Sequence, residues 1–514
     1  MIIAPLMNER AAGHSQISVL RKIFSFPVMI SGLLSVLGVL TVRSRFNDPD
    51  MWWHLKTGQV IWTSHTIPTT DIFSYTTNHH AWVPHEWLSQ TLIYAAYRFG
   101  GYSGLMLWLC FFTAILLIAG YALCSLYSGN AKVGFLGALV IWFCSTGGLA
   151  IRPQMIGYLL LIVELLVLHL GRTRNPRWFF WLPPLFAVWV NCHGSFFLGF
   201  CLLGLFLFSS FFDFRMGSLT SVRWPAEHRS KLAWALGLSG AALFLNPVGI
   251  RQVLYPLNTL LHQHIVLSQV EEWLPLQLSD PRGIGFLAVL GCIFLLLVVR
   301  RSELFWDELL LLAVGVELAG SHRRMIFVFG IMAAPVLSRL LSTLWDGYDA
   351  ERDRPLPNAV LIAISLLVVI WGFPSRQNLV QQVDDANPVK AAEFIKSNHF
   401  SGRMLNEYNY GGYLIWAVPE HPVFVDQRND VFEWTGVLAE FGRWAMLQDN
   451  PNTLLDKYRV RFCLLARTSP MAQVLPLLPN WKSVYSDNMS TIFVRSSDGI
   501  PSGESAAAQS KPNR

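Results

Sequence analysis

Asp48 and Asp50 stand one residue apart around Pro49 in the stretch RFNDPDMWWHLKTG, residues 45–58, and Trp52, Trp53 and His54 follow at once. Proline pushes the residue before it towards extended geometry, and residues two apart on an extended chain face the same way. Asp48 and Asp50 can then converge on one ligand. Two such carboxylates hold a divalent ion such as Mg2+ or Mn2+, or one of them takes a proton from an acceptor hydroxyl or amine. The plainer alternative is a polar turn, with Asp50 as the N-cap of a helix and the tryptophans as interfacial anchors.

A second set is cationic. Arg152 in GLAIRPQMIGY, Arg251 in NPVGIRQ, and His322, Arg323 and Arg324 in AGSHRRMIF each flank a long apolar run, and VNCHGSF adds Asn191 and His193. A guanidinium is a ready clamp for phosphate. Each of these groups singly also fits snorkelling or the capping of a helix C-terminus. The histidines of TTNHHAWVPHEW (His79, His80 and His85, beside Glu86) match none of the common zinc spacings. Glu86 and Trp87 instead read as the opening of a helix.

The elements that position these groups follow from composition. Of 514 residues, 53% are hydrophobic and 14% charged, too little charge for the surface of a soluble protein of this length. Apolar runs recur that are long enough to cross about 30 Å of hydrocarbon. The fold class is therefore a polytopic α-helical membrane protein. The predicted spans are 23–42, 105–127, 133–150, 154–171, 178–192, 195–212, 232–249, 284–299, 304–320, 325–342 and 357–373, about eleven helices. The first is read as uncleaved, since its core is longer than that of a signal peptide. With residues 1–22 cytoplasmic, the arginine-rich loops GRTRNPR, DFRMGSLTSVRWPAEHRSK, RRSE and DGYDAERDRP fall inside, as the positive-inside rule asks. Arg152, Arg251, Arg323 and Arg324 are then exceptions at outer helix ends. Gathered with the acidic pair, they describe a site for an anionic lipid head group and a nucleophile. The net charge of +6 is accounted for by the inner loops and asks for no nucleic acid.

Three outer segments carry most of the polar residues: 43–104, about 245–283, and everything after 373. Within the first, HEWLSQTLIYAAYRFGGYSG has the spacing of an interfacial amphipathic helix. Residues 374–497 form an expected α/β domain, with NPVKAAEFIKSN, TGVLAEFGRWAML and MAQVLPLL as helices and PVFVDQR, RFCLLAR and STIFVR as strands. Asp426 and Arg428 sit at the end of one such strand, either at a ligand site or in a local ion pair near Asn406 and Glu407. Residues 498–514 have the composition of a disordered tail. Cys463 alone falls in the domain, which leaves it no internal disulfide.

At this point the chain resembles the GT-C superfamily of integral-membrane glycosyltransferases. The resemblance rests on the D-x-D-like element just after the first helix, on DPDMWWHLKTGQVIWTSHTIPTTDIFSYT and WVPHEWLSQ, and on GGYLIW with PVFVDQR. It looks closest to bacterial GT-C-like membrane proteins of undefined substrate. What the resemblance implies is transfer of a sugar from a polyprenyl-phosphate-linked donor to a lipid, glycan or protein acceptor at the periplasmic face of a bacterial inner membrane. Transfer would most simply invert the anomeric centre of the hexosyl or pentosyl group. Asp48 or Asp50 would be the base or metal ligand. Arg152, His193, His322, Arg323 and Arg324 would hold the lipid phosphate, and Trp52, Trp53, His54 and Glu86 would contact sugar or acceptor. The WWDYG signature of oligosaccharyltransferases is missing, although NEYNYGGY lies in a comparable place. Glu164, His169 and Glu317, ionisable groups inside predicted spans, belong to a rival reading as a transporter or flippase. A non-catalytic scaffold for lipid-linked glycans is a third. The sequence leaves the oligomeric state open.

Overall fold

A computed structural model of the chain describes residues 19–496 apart from 78, 264, 266, 267 and 269. The tail expected over 498–514 and most of the N-terminal segment 1–22 lie outside the described residues. The chain divides into two compact units. One comprises Met1–Asp48, Thr57–Ile67 and Val83–Val380; the other comprises Pro49–Lys56, Pro68–Trp82 and Gln381–Arg514.

The first unit is helical. Its helices include α1 (Phe26–Val42), α2 (Asp50–Ser64, shared with the second unit), α3 (Trp87–Ser128), α4 (Ala131–Ser145), α5 (Gln154–Thr173), α6 (Leu182–Cys192), α7 (Phe196–Ser209), α8 (Ala226–Ala242), α9 (Ile250–His262), α10 (Pro281–Val299), α11 (Trp306–Ser321), α12 (Ile326–Leu341) and α13 (Pro355–Gly372). A helix lies over each of the eleven predicted segments. Among the described residues, six helical segments are long and apolar enough to cross a membrane: Val19–Val42, Trp87–Ser128, Gln154–Thr173, Pro281–Val299, Arg323–Leu344 and Pro355–Gly372. Helices α4 and α7 are apolar but shorter. The protein is a multi-pass membrane protein by these segments, and the full set of eleven spans is not recovered from helix length and composition.

Helix α12 is buried nearly all round, as a helix apolar on every face must be. Its packing against α10 and α11 builds one core around Phe286, Leu312, Phe329 and Val336. The first and last helices are tied at one end: the Phe26 amide donates to Asp353 Oδ2 at 2.7 Å, and Asn358 Nδ2 donates to the Phe24 carbonyl at 2.9 Å. The predicted interfacial helix and the predicted span after it join in α3. They meet at Gly101, whose φ of 56° breaks the helical geometry at little steric cost only for glycine.

The second unit carries a four-stranded sheet in the order β4-β5-β7-β6, made of Arg403–Asn406, Val460–Ala466, Ser490–Arg495 and Trp481–Ser486; the label numbers follow three short strands of the first unit, β1 (Phe214–Met216), β2 (Leu219–Ser221) and β3 (Leu304–Phe305). Strands β4 and β5 are parallel, and the other pairs are antiparallel. RFCLLAR and STIFVR are strands as read from the sequence. PVFVDQR is extended but joins no ladder beyond one bridge from Val423 to Ser74. Asn406 explains this, because its side chain takes the place of a neighbouring strand: Oδ1 accepts from the Phe424 amide, and Nδ2 donates to the Val425 carbonyl, each at 2.8 Å.

Candidate functional site

Asp48 lies in the non-helical stretch between α1 and α2, where it meets the turn that precedes α5. Arg152 Nε donates to Asp48 Oδ2 at 2.7 Å. Nη1 of Arg152 lies 3.5 Å from Glu272 Oε2, and the other oxygen of Glu272 accepts from Arg324 Nη1 at 2.9 Å. Arg324 also donates to Gln154 Oε1 at 3.1 Å and lies over the Trp273 ring at 4.5 Å. Charges thus alternate through Asp48, Arg152, Glu272 and Arg324, at one end of the first unit. The exit of α1 and the entries of α5 and α12 supply three of these groups, and the loop between α9 and α10 supplies Glu272.

The network is only half enclosed, with side-chain exposure rising from 11% at Asp48 to 41% at Glu272. Burial disfavours the charged form of Glu272, but Arg324 and Arg152 outweigh it and hold the carboxyl below its ordinary pKa. A carboxylate grasped by two guanidiniums occupies the position that a phosphate group takes in an arginine clamp. Arg323 and His322 lie at the rim: Arg323 Nη1 donates to the well-exposed Glu271 at 2.7 Å, and His322 packs edge-on against Trp273.

Glu86 and His193 come together beside it. Glu86 precedes α3, as expected, but its side chain turns to two imidazoles. Oε1 lies 3.5 Å from His193 Nε2 and 3.6 Å from His85 Nε2. The Ser195 amide donates to His193 Nδ1 at 3.1 Å, which leaves the ring proton on Nε2, facing Glu86. Burial, then His85 and Arg324, lower the His193 pKa to about 3, and burial lowers that of His85 to about 4. Both rings are neutral near pH 7. Asn191 is structural: it accepts from Trp87 Nε1 at 2.8 Å and donates to the Leu245 carbonyl at 2.9 Å. Arg251 is on the exposed side of α9.

Asp50, Trp52, Trp53 and His54 belong to the second unit, whereas Asp48 belongs to the first. Asp50 is the first residue of α2, close to the capping role read as its plainer alternative. Trp52 is buried and packs edge-on against Tyr413, with ring centroids 5.1 Å apart. The tryptophan expected to be a surface anchor is thus a core side chain of this unit. The GGYLIW motif serves the same packing. A Cβ at Gly412 would lie 2.5 Å from the Pro49 carbonyl oxygen, and one at Gly411 would lie 2.2 Å from that of Val425. Only glycine lets these backbones approach.

Asp426 and Arg428 form an ion pair, as one of the two sequence readings held, but a third partner completes it. Arg428 donates to Asp426 through Nε at 2.9 Å and Nη2 at 2.6 Å, and to Asp71 through Nη1 at 2.6 Å. All three side chains are fully buried, and the guanidinium lies over Phe73 and Trp82. Thr77 and the Phe73 amide supply further hydrogen bonds to Asp71. Burial raises the Asp71 pKa, but Arg428 and these donors prevail and hold it below the ordinary value. The three charged side chains are fully buried and pair with one another.

Of the residues that support a transporter, Glu164 is buried in α5 with neither carboxylate oxygen hydrogen-bonded. His169 stacks on Tyr127, and Glu317 accepts from Ser321. Among the described residues, no hydrogen bond or ion pair links the three. Among the described residues, no group of three or more His, Cys, Asp or Glu side chains has the arrangement of a metal site.

Sequence reasoning missed Glu272, Gln154 and Asp71. The adjacent pair Glu271–Glu272 beside Trp273, in a loop otherwise rich in apolar residues, was a usable signal for the first.

No protein-family model matches the chain, and no curated protein matches it. Solved structures do. ArnT from Cupriavidus metallidurans in the apo state superposes with a TM-score of 0.53 at 12% identity, covering 95% of this chain and 99% of that one. The same protein bound to undecaprenyl phosphate gives 0.52 at 12% identity over 90% and 97%. The oligosaccharyltransferase of Archaeoglobus fulgidus, tethered to an acceptor peptide containing the NVT sequon, gives 0.52 at 12% identity over 87% of this chain and 70% of its own. At this identity the likeness establishes a fold shared with these proteins.

Proposed function

We propose that this chain is a membrane glycosyltransferase that moves a sugar from a polyprenyl-phosphate-linked donor to a lipid, glycan or protein acceptor. The observation that carries the reading is the alternating network of Asp48, Arg152, Glu272 and Arg324 at one end of the helical unit. In it Asp48 pairs with Arg152, and Arg152 and Arg324 are already set around the carboxylate of Glu272. That one structural neighbour holds undecaprenyl phosphate supports the donor class.

The donor phosphate displaces Glu272, which is exposed enough to swing aside, and Arg152 and Arg324 take its oxygens. His193, His322 and Arg323 extend the same face towards the phosphate. The acceptor oxygen or nitrogen attacks the anomeric carbon from the side opposite the phosphate. The carbon–oxygen bond to phosphate breaks, its electron pair stays on the phosphate, and the anomeric centre inverts. Asp48 receives the acceptor proton; Asp50 is the alternative base. A positioned carboxylate contributes roughly 10²–10⁴-fold, and the guanidiniums stabilise charge where it develops. Glu86, Trp53 and His54 are the proposed sugar and acceptor contacts, Trp52 being packed in the core of its unit. No step is routed through a divalent ion; Asp48 and Asp50 are the carboxylates that would hold Mg2+ or Mn2+.

Eleven spans, a cytoplasmic N-terminus and a periplasmic domain over 374–497 complete the reading, in a bacterial inner membrane. The test uses full-length protein in nanodiscs with a panel of radiolabelled polyprenyl-phosphate sugars and candidate acceptors. Sugar transfer by the wild type, lost in Asp48→Asn or Asp50→Asn with donor binding kept, supports the proposal. Donor binding without turnover in the wild type, with acceptors supplied, refutes it in favour of a carrier or scaffold.

A further inference from the structure

Of the arginines singled out by the sequence, Arg152, Arg323 and Arg324 have a carboxylate partner. Arg45 and Arg282, in the same unit, have none among the described residues. Arg45, just past α1, donates through Nη1 to the carbonyl of Thr146, at the C-terminal end of α4. Arg282, in the first turn of α10, sits directly against the next residue: a Cβ at Gly147 would lie 2.3 Å from both Cζ and Nη1 of Arg282. The two cations therefore flank one turn and repel each other; burial first, and then Arg282, disfavour the charged form of Arg45.

A helix C-terminus attracts one cation, which accounts for Arg45. It does not account for a second guanidinium brought against the adjacent residue with no acid between them among the described residues. Such a pair costs free energy unless an anion joins it. The side chain of Gln154 donates to the carbonyl of Gly148 in the same turn, so the pair adjoins the candidate site without sharing its charged groups.

We propose that the Thr146–Gly147 turn is a second anion site, in which Arg45 and Arg282 bind the phosphate group of a lipid. Guanidinium forks match phosphate oxygens in geometry and charge, and Gly147 provides the space in which Arg282 sits. The phosphate belongs either to an anionic phospholipid head group or to a polyprenyl phosphate. The inference does not depend on glycosyl transfer.

The test is a titration of full-length protein in a neutral detergent with phosphatidylglycerol, undecaprenyl phosphate or phosphatidylcholine, with bound lipid counted by native mass spectrometry. The quantity read is the difference between the wild type and the double variant Arg45→Gln, Arg282→Gln. A loss of about tenfold or more in retention of a phosphate lipid, relative to phosphatidylcholine, is expected from two charge-assisted contacts. Gly147→Ala, which keeps both cations but displaces Arg282, is expected to weaken retention in the same direction, and thermal unfolding checks that the variants fold. A loss confined to undecaprenyl phosphate identifies the polyprenyl carrier as the ligand. A similar loss for phosphatidylglycerol identifies a head group. Retention unchanged in both the double variant and Gly147→Ala overturns the proposal.

Discussion

Two ion networks of this molecule are both built from carboxylates and guanidiniums and differ in how far they are buried. In the second unit, Asp71, Arg428 and Asp426 are wholly enclosed and every donor of the guanidinium fork that is described meets a carboxylate. In the first unit, Asp48, Arg152, Glu272 and Arg324 alternate in charge but stay partly open, most of all at Glu272. An enclosed, saturated network can only hold structure. A half-open one can exchange a counter-ion, because the departing carboxylate regains water. Burial, more than residue identity, separates the structural network from the functional candidate.

The largest effect is expected where burial is complete. Arg428→Met keeps the volume of the side chain but leaves two carboxylates enclosed without a cation, a loss of about 3–5 kcal/mol. Denaturant titration of the full chain, followed by hydrogen exchange in residues 381–496, should show the second unit opening first. If the variant is as stable as the wild type, the triad is not the lock described.

Asp48→Asn belongs to the other network and should leave stability nearly unchanged while lowering transfer by roughly 10²–10⁴-fold. Arg324→Ala should weaken donor binding by about tenfold to a hundredfold, the range of a charge-assisted hydrogen bond, read in a filter-binding assay with labelled donor. Glu272→Gln sharpens the comparison further. If Glu272 competes with the phosphate for Arg152 and Arg324, its neutralisation raises donor affinity a few-fold instead of lowering it. The smallest effect is expected at Arg443, whose pair with Asp449 is exposed on both sides. Arg443→Ala should change stability by less than about 1 kcal/mol.

Much of this was legible in the sequence. The apolar runs located the helices of the first unit, because length and hydropathy are local properties. RFCLLAR and STIFVR declared themselves as strands for a similar reason. The pairing of Asp48 with Arg152 was legible only as two separate anomalies, an acid and a cation at the same predicted face. Their contact is made between residues about a hundred positions apart. Glu272 was missed because one more acid in a loop carries no periodicity. Trp52 was misread as an anchor because nothing local distinguishes an interfacial ring from one packed against Tyr413. Asp71 escaped for the same reason: its partner, Arg428, lies far along the chain.

The most direct measurement is transfer of labelled sugar from a polyprenyl-phosphate donor in nanodiscs, comparing the wild type with Asp48→Asn and Glu272→Gln under saturating acceptor. The account predicts turnover by the wild type, its loss in Asp48→Asn with donor binding kept, and tighter donor binding in Glu272→Gln. Full turnover in Asp48→Asn, or weaker donor binding in Glu272→Gln, would contradict the claim that the half-open network is where the phosphate lands.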